Sequence, residues 1–461
     1  MVKDGDKSGH YLSGYLAIWF KIMAAGMITM VAFEAVAVAT AMPFVVEKLH
    51  GEQFYALAAG IPMAAQLVTT AFAGPWVDAK GPHQVMYVGI VGFLGGLLLA
   101  TVAPDILTLV IGRAVQGLGG GLLIVPLYVM VGSYVLPRKQ PAFFATFAMA
   151  WVLPSLVGPL VAGLLVDYVH WRWVFGITPL IFVAFFPFLW PKFRRFPALH
   201  ESKHLTVSPL LLVSIIVSGV LVGFLQVISG TRPQEFSSGM IALTLVLSAG
   251  VLFFSYHILP TGTFLLRRGV PATVIFRGLV NGTFIATETY LPLMLKNVHH
   301  WGPTRAGLVL TASGVTWALG SWLQARIEKY RTRRLINIIG PIGQLAGTAI
   351  TLLALLPDYG PWWVLGGWCL AGLLIGSMYP YTTVNALGIT PAEHHGEVSS
   401  ALTLSDTLGA AILIAYAGIV YALTYPLGSV AFAFAIGLQM ILILAAIFIG
   451  PRIFTDQSAD L

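Results

Sequence analysis

Fourteen apolar stretches, each about as long as a membrane-spanning helix, follow one another along this chain with only short polar breaks. They fall at roughly 18–43, 54–75, 84–103, 106–134, 142–166, 172–190, 208–229, 237–258, 270–294, 303–325, 334–356, 361–388, 397–424 and 428–450. A helix needs about 20 apolar residues to cross the hydrocarbon core. Inside lipid every backbone donor and acceptor must be satisfied within the segment, so helices are expected. The alternating pattern of a membrane barrel is absent. Charge is scarce to match: 9% of residues are charged and 57% are hydrophobic, against about 25% and 45–50% in soluble domains. An ordinary soluble fold is excluded, and the expected fold class is all-α, a polytopic membrane protein.

The basic residues set an expected orientation. An even number of crossings puts both termini on one side. On that side fall Lys80, Arg138, Lys139, the basic positions between 192 and 203, Arg267, Arg268, those between 326 and 334, and Arg452. Only Lys48, Arg172, Arg232, Lys296 and Arg305 fall on the other. Basic loops stay in the cytoplasm, so both termini are expected there, in a multi-pass cell-membrane protein. The same distribution accounts for the net charge of +7 without a nucleic-acid partner. The first apolar run exceeds the 7–15 residues or so of a signal-peptide core, so it reads as an uncleaved helix. The single cysteine, Cys369, allows no intramolecular disulfide and no cysteine-based metal site. The neighbouring histidines at 299–300 and 394–395 read as solvated loop residues. No metal or other cofactor is expected.

The polar, basic stretch from Lys192 to His204 divides the chain. Residues 1–204 read as an N-terminal six-helix bundle, 205–262 as two additional transmembrane helices, and 263–461 as a C-terminal six-helix bundle. The added spans contain no Asp, Glu, Lys or Arg and read as a lipid-facing hairpin without transport chemistry. Elsewhere a few charges sit inside the apolar runs: Glu34, Arg113, Arg277, Glu288 and Asp406. A charge in the bilayer costs several kcal/mol unless it is neutral, paired or wetted, which marks these positions as candidates for ion-coupled transport.

Four patches carry a family resemblance. After the second run stands Gly74-Pro-Trp-Val-Asp78-Ala-Lys80-Gly81; glycines permit a tight turn, and Asp78 suits a helix N-terminus or an arginine across the two halves, latching one conformation. The fourth run holds Arg113-Ala-Val-Gln116-Gly117-Leu-Gly119-Gly120-Gly121, and the fifth Gly158-Pro159-Leu-Val-Ala-Gly163. The first run carries Glu34, followed nine residues later by Pro43. Together these resemble the major facilitator superfamily, in particular its fourteen-helix drug:proton antiporter branch. The layout matches along nearly the whole chain, and the specific motifs lie mostly in the first half.

The chain departs from the branch at several places, among them Asp406, where relatives often have an arginine, and Gln324, where a second aspartate is expected. Pro82-His83 replaces the basic pair after Gly81, Pro154 replaces a glycine, and Glu34 replaces an aspartate. The resemblance implies two six-helix bundles rocking about a midplane cavity. It implies that Arg113 takes part in proton transfer, that Gly74, Asp78 and Gly81 form a gate, and that Gly158, Pro159 and Gly163 are an exporter's signature. The alternative for Arg113 is a structural tie between helices; for Asp78 it is a solvated turn.

The second half is read from its residues. Arg277, Asn281 and Glu288 share one helical face. Arg277 and Glu288 stand about 16 Å apart along the axis, so they are expected to line one cavity at different depths or to make separate ties. Asp406, near the inner end of its run, is a secondary proton-coupling candidate. Trp151, Phe284, Tyr290, Trp317, Met378 and Tyr379 are candidate cavity residues alongside Arg277 and Asn281, suited to amphiphilic guests; the alternative for each is helix packing.

The expected function is proton-coupled export of hydrophobic or cationic amphiphilic compounds by alternating access. Glu34, Glu288 or both would take a proton facing outward and release it facing inward. The expected partners are such a substrate or a lipid-like one, protons and membrane lipids. A lipid or glycolipid exporter of the same fold is the nearest alternative, and a proton-coupled nutrient symporter a further one. An enzyme is not expected: a membrane-embedded lipid-modifying enzyme wants clustered carboxylates or histidines in aqueous loops, and these loops are short and poor in them. A nucleotide-driven pump would need a Gly-x-x-x-x-Gly-Lys-Ser/Thr loop, which the sequence lacks.

Overall fold

The computed structural model describes residues 12, 14–136, 139–193, 208–231, 237–327, 329–391 and 394–455. The helices follow the apolar runs. First come α1 (Gly14–Lys48), α2 (Tyr55–Lys80), α3 (Pro82–Thr101), α4 (Ile106–Tyr134), α5 (Gln140–Tyr168) and α6 (Trp173–Phe193). Then come α7 (Pro209–Ile228) and α8 (Ser238–Ile258). The second half holds α9 (Val270–His299), α10 (Pro303–Ala325), α11 (Tyr330–Leu352), α12 (Trp362–Gly388), α13 (His395–Thr424) and α14 (Val430–Ile449). Twelve helices contain described stretches long and apolar enough to cross a membrane, and α6 contributes the shorter stretch Trp173–Phe185. The described residues contain no strand. The fold class is all-α, as expected.

Local chemistry sets the ends. Asp105 accepts the N–H of Thr108 at 2.8 Å and caps α4, which satisfies one of the donors a helix start leaves free. Proline opens α3, α7, α9 and α10, where its missing N–H costs nothing. Gly81, at φ +80°, is the one residue between α2 and α3; a side chain there would be strained. The helices alternate between the face carrying the termini, here the terminal face, and the opposite, far face. Across the terminal face Leu12 N–H donates to Tyr134 O at 3.0 Å, and Gly269 N–H to Arg452 O at 2.9 Å.

The helices α1–α6 pack among themselves, as do α9–α14. Small residues let the backbones meet. A Cβ added at Gly117 of α4 would lie 2.6 Å from Pro62 Cα of α2, and one at Gly121 would lie 2.6 Å from Gln66 O. Between α9 and α13, a Cβ at Gly409 would lie 2.9 Å from the carbonyl carbon of Gly278. Gly409→Val should therefore lower stability by about 1–3 kcal/mol or more through overpacking. Gly95, whose added Cβ meets nothing within 4 Å, should accept alanine within about 0.5 kcal/mol. Thermal unfolding in detergent compares the two.

The middle helices differ from the lipid-facing expectation. Only α8 stays on the outside. α7 is seated in the seam between α2 and α13, with Ser214, Ser218, Gly219, Val222 and Gln226 buried. Gln226 Nε2 donates to Ala411 O of α13 at 3.3 Å. On the other side, a Cβ at Gly219 would lie 3.1 Å from Ala64 O of α2. The small residues flatten one face of α7, so it fits between two helices without needing any charge. Tyr416 of α13 reaches past it to donate to Ser248 Oγ of α8 at 2.5 Å.

Candidate functional site

The charged residues in the spans form two separate groups, one in each half. In the first half Glu34 on α1 is buried. Thr178 Oγ1 on α6 donates to its Oε1 at 2.7 Å, while its Oε2 is buried with no hydrogen-bond partner among the described residues. Arg113 on α4 is an electrostatic neighbour of Glu34 and yet is held by other groups. It donates through Nη1 to Gln116 Oε1 one turn on and through Nε to Ala58 O of α2 at 3.5 Å. Its guanidinium lies 6.0 Å from the ring of Phe175. The glycines beside Arg113 let α4 come close enough to α2 to reach that carbonyl.

In the second half Arg277 of α9 pairs with Asp406 of α13. Its Nε donates to Asp406 Oδ1 at 3.2 Å and Nη2 to Oδ2, a two-pronged contact. Nη2 also donates to Tyr379 Oη at 2.8 Å and Nη1 to Thr383 Oγ1, both on α12. The guanidinium sits 4.2 Å from the Tyr379 ring, and Asn281 Nδ2 donates to Asp406 O at 3.4 Å. The contact of Gly278 with Gly409 is what brings α9 and α13 this close.

The pair is largely withdrawn from solvent, its side chains 9% and 18% exposed. Breaking a buried pair leaves an uncompensated charge, whereas replacing both members with apolar groups is often neutral. Arg277→Met or Asp406→Leu alone should therefore cost about 3–5 kcal/mol, and the double variant should recover most of the melting temperature in detergent. Equal loss in single and double variants would show that the charges do not act as a pair.

A row of aromatic rings connects that pair to Glu288. Tyr379 lies 5.8 Å from Trp317 of α10, which meets Phe284 of α9 edge-on at 5.1 Å. Phe284 stacks on Trp368 of α12 at 4.4 Å. Trp368 neighbours the Glu288 carboxylate, although its indole N–H makes no hydrogen bond of good geometry among the described residues. Arg277 and Glu288 thus stand at the two ends of one aromatic row, consistent with their separation along α9.

The remaining candidates are placed as follows. Tyr290 faces Tyr55 of α2 and Tyr421 of α13, each at 5.6 Å. Met378 is fully buried and packs on Gly340 of α11, while Trp151 is exposed on α5. Gly158 rests on α1, its added Cβ 3.0 Å from Val36. Pro159 and Gly163 rest on α10: Gly307 meets the Pro159 carbonyl carbon at 2.9 Å, and Gly163 meets Thr304 Cα at 2.6 Å, each counted from an added Cβ. Gly74 lies in the last turns of α2 and Gly81 just after it. The side chain of Asp78 lies outside the described residues.

The hydrogen bonds between α1–α6 and α9–α14 cluster toward the far face. Tyr55 Oη donates to Thr289 O. Lys296 Nζ pairs with Glu47 at 2.8 Å and donates to Pro43 O at 2.9 Å. Asp167, on the last turn of α5, accepts the Thr304 N–H at 3.0 Å and its hydroxyl as well, capping α10 from the other half. Leu160 N–H donates to Thr311 Oγ1 at 3.2 Å. None of these ties was singled out from the sequence, nor were Thr178, Trp368 and Thr383. A lone threonine or tyrosine in an apolar run gives no sign of the helix it will meet.

A family model described as Major Facilitator Superfamily matches residues 22–414. Multidrug resistance protein 3 of Bacillus subtilis (strain 168) is 26% identical over 372 residues, covering 78% of this chain and 71% of its own length. A probable multidrug-efflux transporter of Mycobacterium tuberculosis (strain ATCC 25618 / H37Rv) is 24% identical over 422 residues, covering 89% and 88%. Among solved structures, a peptide transporter POT in complex with sulfate has a TM-score of 0.66 at 17% identity, with 97% of each chain covered. At that identity the likeness is one of fold alone.

Proposed function

Since the chain belongs to the Major Facilitator Superfamily, and is thus a multi-pass transporter and not an enzyme, we propose that it exports hydrophobic or cationic amphiphilic compounds in exchange for protons. The observation that carries this reading is Glu34, buried with one carboxylate oxygen bonded by Thr178 and the other without a partner among the described residues. A charge held so sparsely in an apolar interior is costly, and a proton removes the cost. Arg113 is tied to Gln116 and Ala58, so it stands ready without locking the carboxylate in an ion pair.

The aromatic row supports the substrate class. Phe284, Trp317, Trp368 and Tyr379 offer apolar faces that also attract cations, with Glu288 at one end. The relatives named for multidrug resistance and efflux support the same class. With both termini cytoplasmic, the far-face ties would close the outer side, and the two halves would rock against each other, breaking and remaking these ties, to expose the interior alternately.

The reading is tested in proteoliposomes with an imposed pH gradient and a panel of cationic dyes, antibiotics, lipids and small nutrients. Uphill movement of cationic amphiphiles against the proton gradient is the expected result. Movement of lipids alone would replace the substrate class, and transport indifferent to the gradient would remove the coupling. Glu288→Gln should weaken transport of cationic members of the panel more than neutral ones.

A further inference from the structure

On the outer flank of the second half, away from the aromatic row, a groove of about 390 Å³ opens at the far face between α10 and α12. Its rim is made by the helix starts: Arg305 in the first turn of α10, with Pro361 and Trp362 at the start of α12. Its floor, one turn deeper, is Leu308 and Leu365. Trp301 closes one end, edge-on to Trp362 at 5.2 Å. The groove is thus polar at the level where helices leave the bilayer and apolar below it. Paired tryptophans are the side chains that favour that boundary.

Arg305 is exposed and makes no hydrogen bond or ion pair among the described residues. Lys296, by contrast, a far-face cation between the two halves, is neutralised by Glu47. We propose that this groove holds one anionic phospholipid, its phosphate on Arg305 and the head of an acyl chain over Leu308 and Leu365. Charge chooses the occupant: an apolar cleft alone accepts any lipid, whereas an unpaired guanidinium at headgroup height presents a two-pronged fork for phosphate oxygens. A zwitterionic lipid fits the same cleft, but its own ammonium competes for the phosphate.

Native mass spectrometry of the delipidated full chain in detergent tests this. The probes are phosphatidylglycerol and phosphatidylcholine of identical chains. The protein should retain one phosphatidylglycerol about fivefold more tightly than phosphatidylcholine, the worth of one basic residue at a lipid surface. Arg305→Gln should abolish that preference with melting temperature unchanged, and Arg305→Lys should keep part of it. Leu308→Trp, which fills the floor and keeps the charge, should weaken retention of both lipids. The proposal is overturned if Arg305→Gln leaves the preference intact. It is equally overturned if inorganic phosphate displaces the lipid as well as glycerophospholipid does, or if Leu308→Trp alters only the monomer–dimer ratio and so marks the flank as a contact between copies.

Discussion

Glu34→Gln should yield a transporter that still exchanges labelled substrate across the bilayer but no longer concentrates it. One proton per cycle is worth 1.36 kcal/mol per pH unit, or about a tenfold concentration ratio. In a one-unit gradient the parent should approach that ratio and the variant should fall to about one. Glutamine keeps the shape and can still accept the bond from Thr178 Oγ1, so the fold is spared. What it lacks is a proton to release when the site opens to the other side. Downhill counterflow should stay close to that of the parent, which separates lost coupling from lost folding. Normal accumulation by Glu34→Gln, by Glu288→Gln and by the double variant together would end the assignment of proton exchange to these carboxylates.

The second large effect is expected at the far face. Asp167 and Thr304 belong to different halves and touch directly. A variant with cysteine at both positions and Cys369 replaced by alanine should form a disulfide on oxidation. If the halves must part there in every cycle, the oxidised protein should fall to background transport and recover on reduction. Each single-cysteine variant should be insensitive to oxidant. A cross-linked protein that transports normally would mean that the contact between α5 and α10 never opens. The tie is a helix cap, and its weakness suits that role: a capping interaction is worth about 0.5–2 kcal/mol, enough to favour one state and small enough to be broken in each turnover.

Length and apolarity sufficed for the fourteen helices because lipid leaves the backbone no other solution. The motifs around Arg113 and Pro159 sufficed for the family because their glycines and prolines answer to geometry, namely the approach of α4 to α2 and of α5 to α10. The charged candidates were legible because a charge in hydrocarbon stands out. Their partners were not. The spacing on α9 placed Arg277 and Glu288 on one face, but nothing in it foretold that Arg277 would find Asp406, which lies 129 residues further on. Thr178 beside Glu34 and Trp368 beside Glu288 are ordinary residues in apolar runs, and only the packing of α6 and α12 makes them neighbours of a carboxylate. Of the middle pair α7 misled, for a related reason: absence of charge reads as exposure to lipid, whereas small side chains buried in a seam give the same composition.

That seam has a consequence for the route by which cargo arrives. If the cargo is amphiphilic, as proposed, it would enter from the bilayer where the two halves adjoin. With α7 wedged along α2 and α13, the slot on that flank is plugged by a helix from the chain itself. Such a molecule would be left the opposite flank, where α5 and α10 meet, and would pass the Asp167–Thr304 contact on its way in. Doorway and latch would be one structure, so bulky cargo would sense the conformational cycle before it reached any charged group.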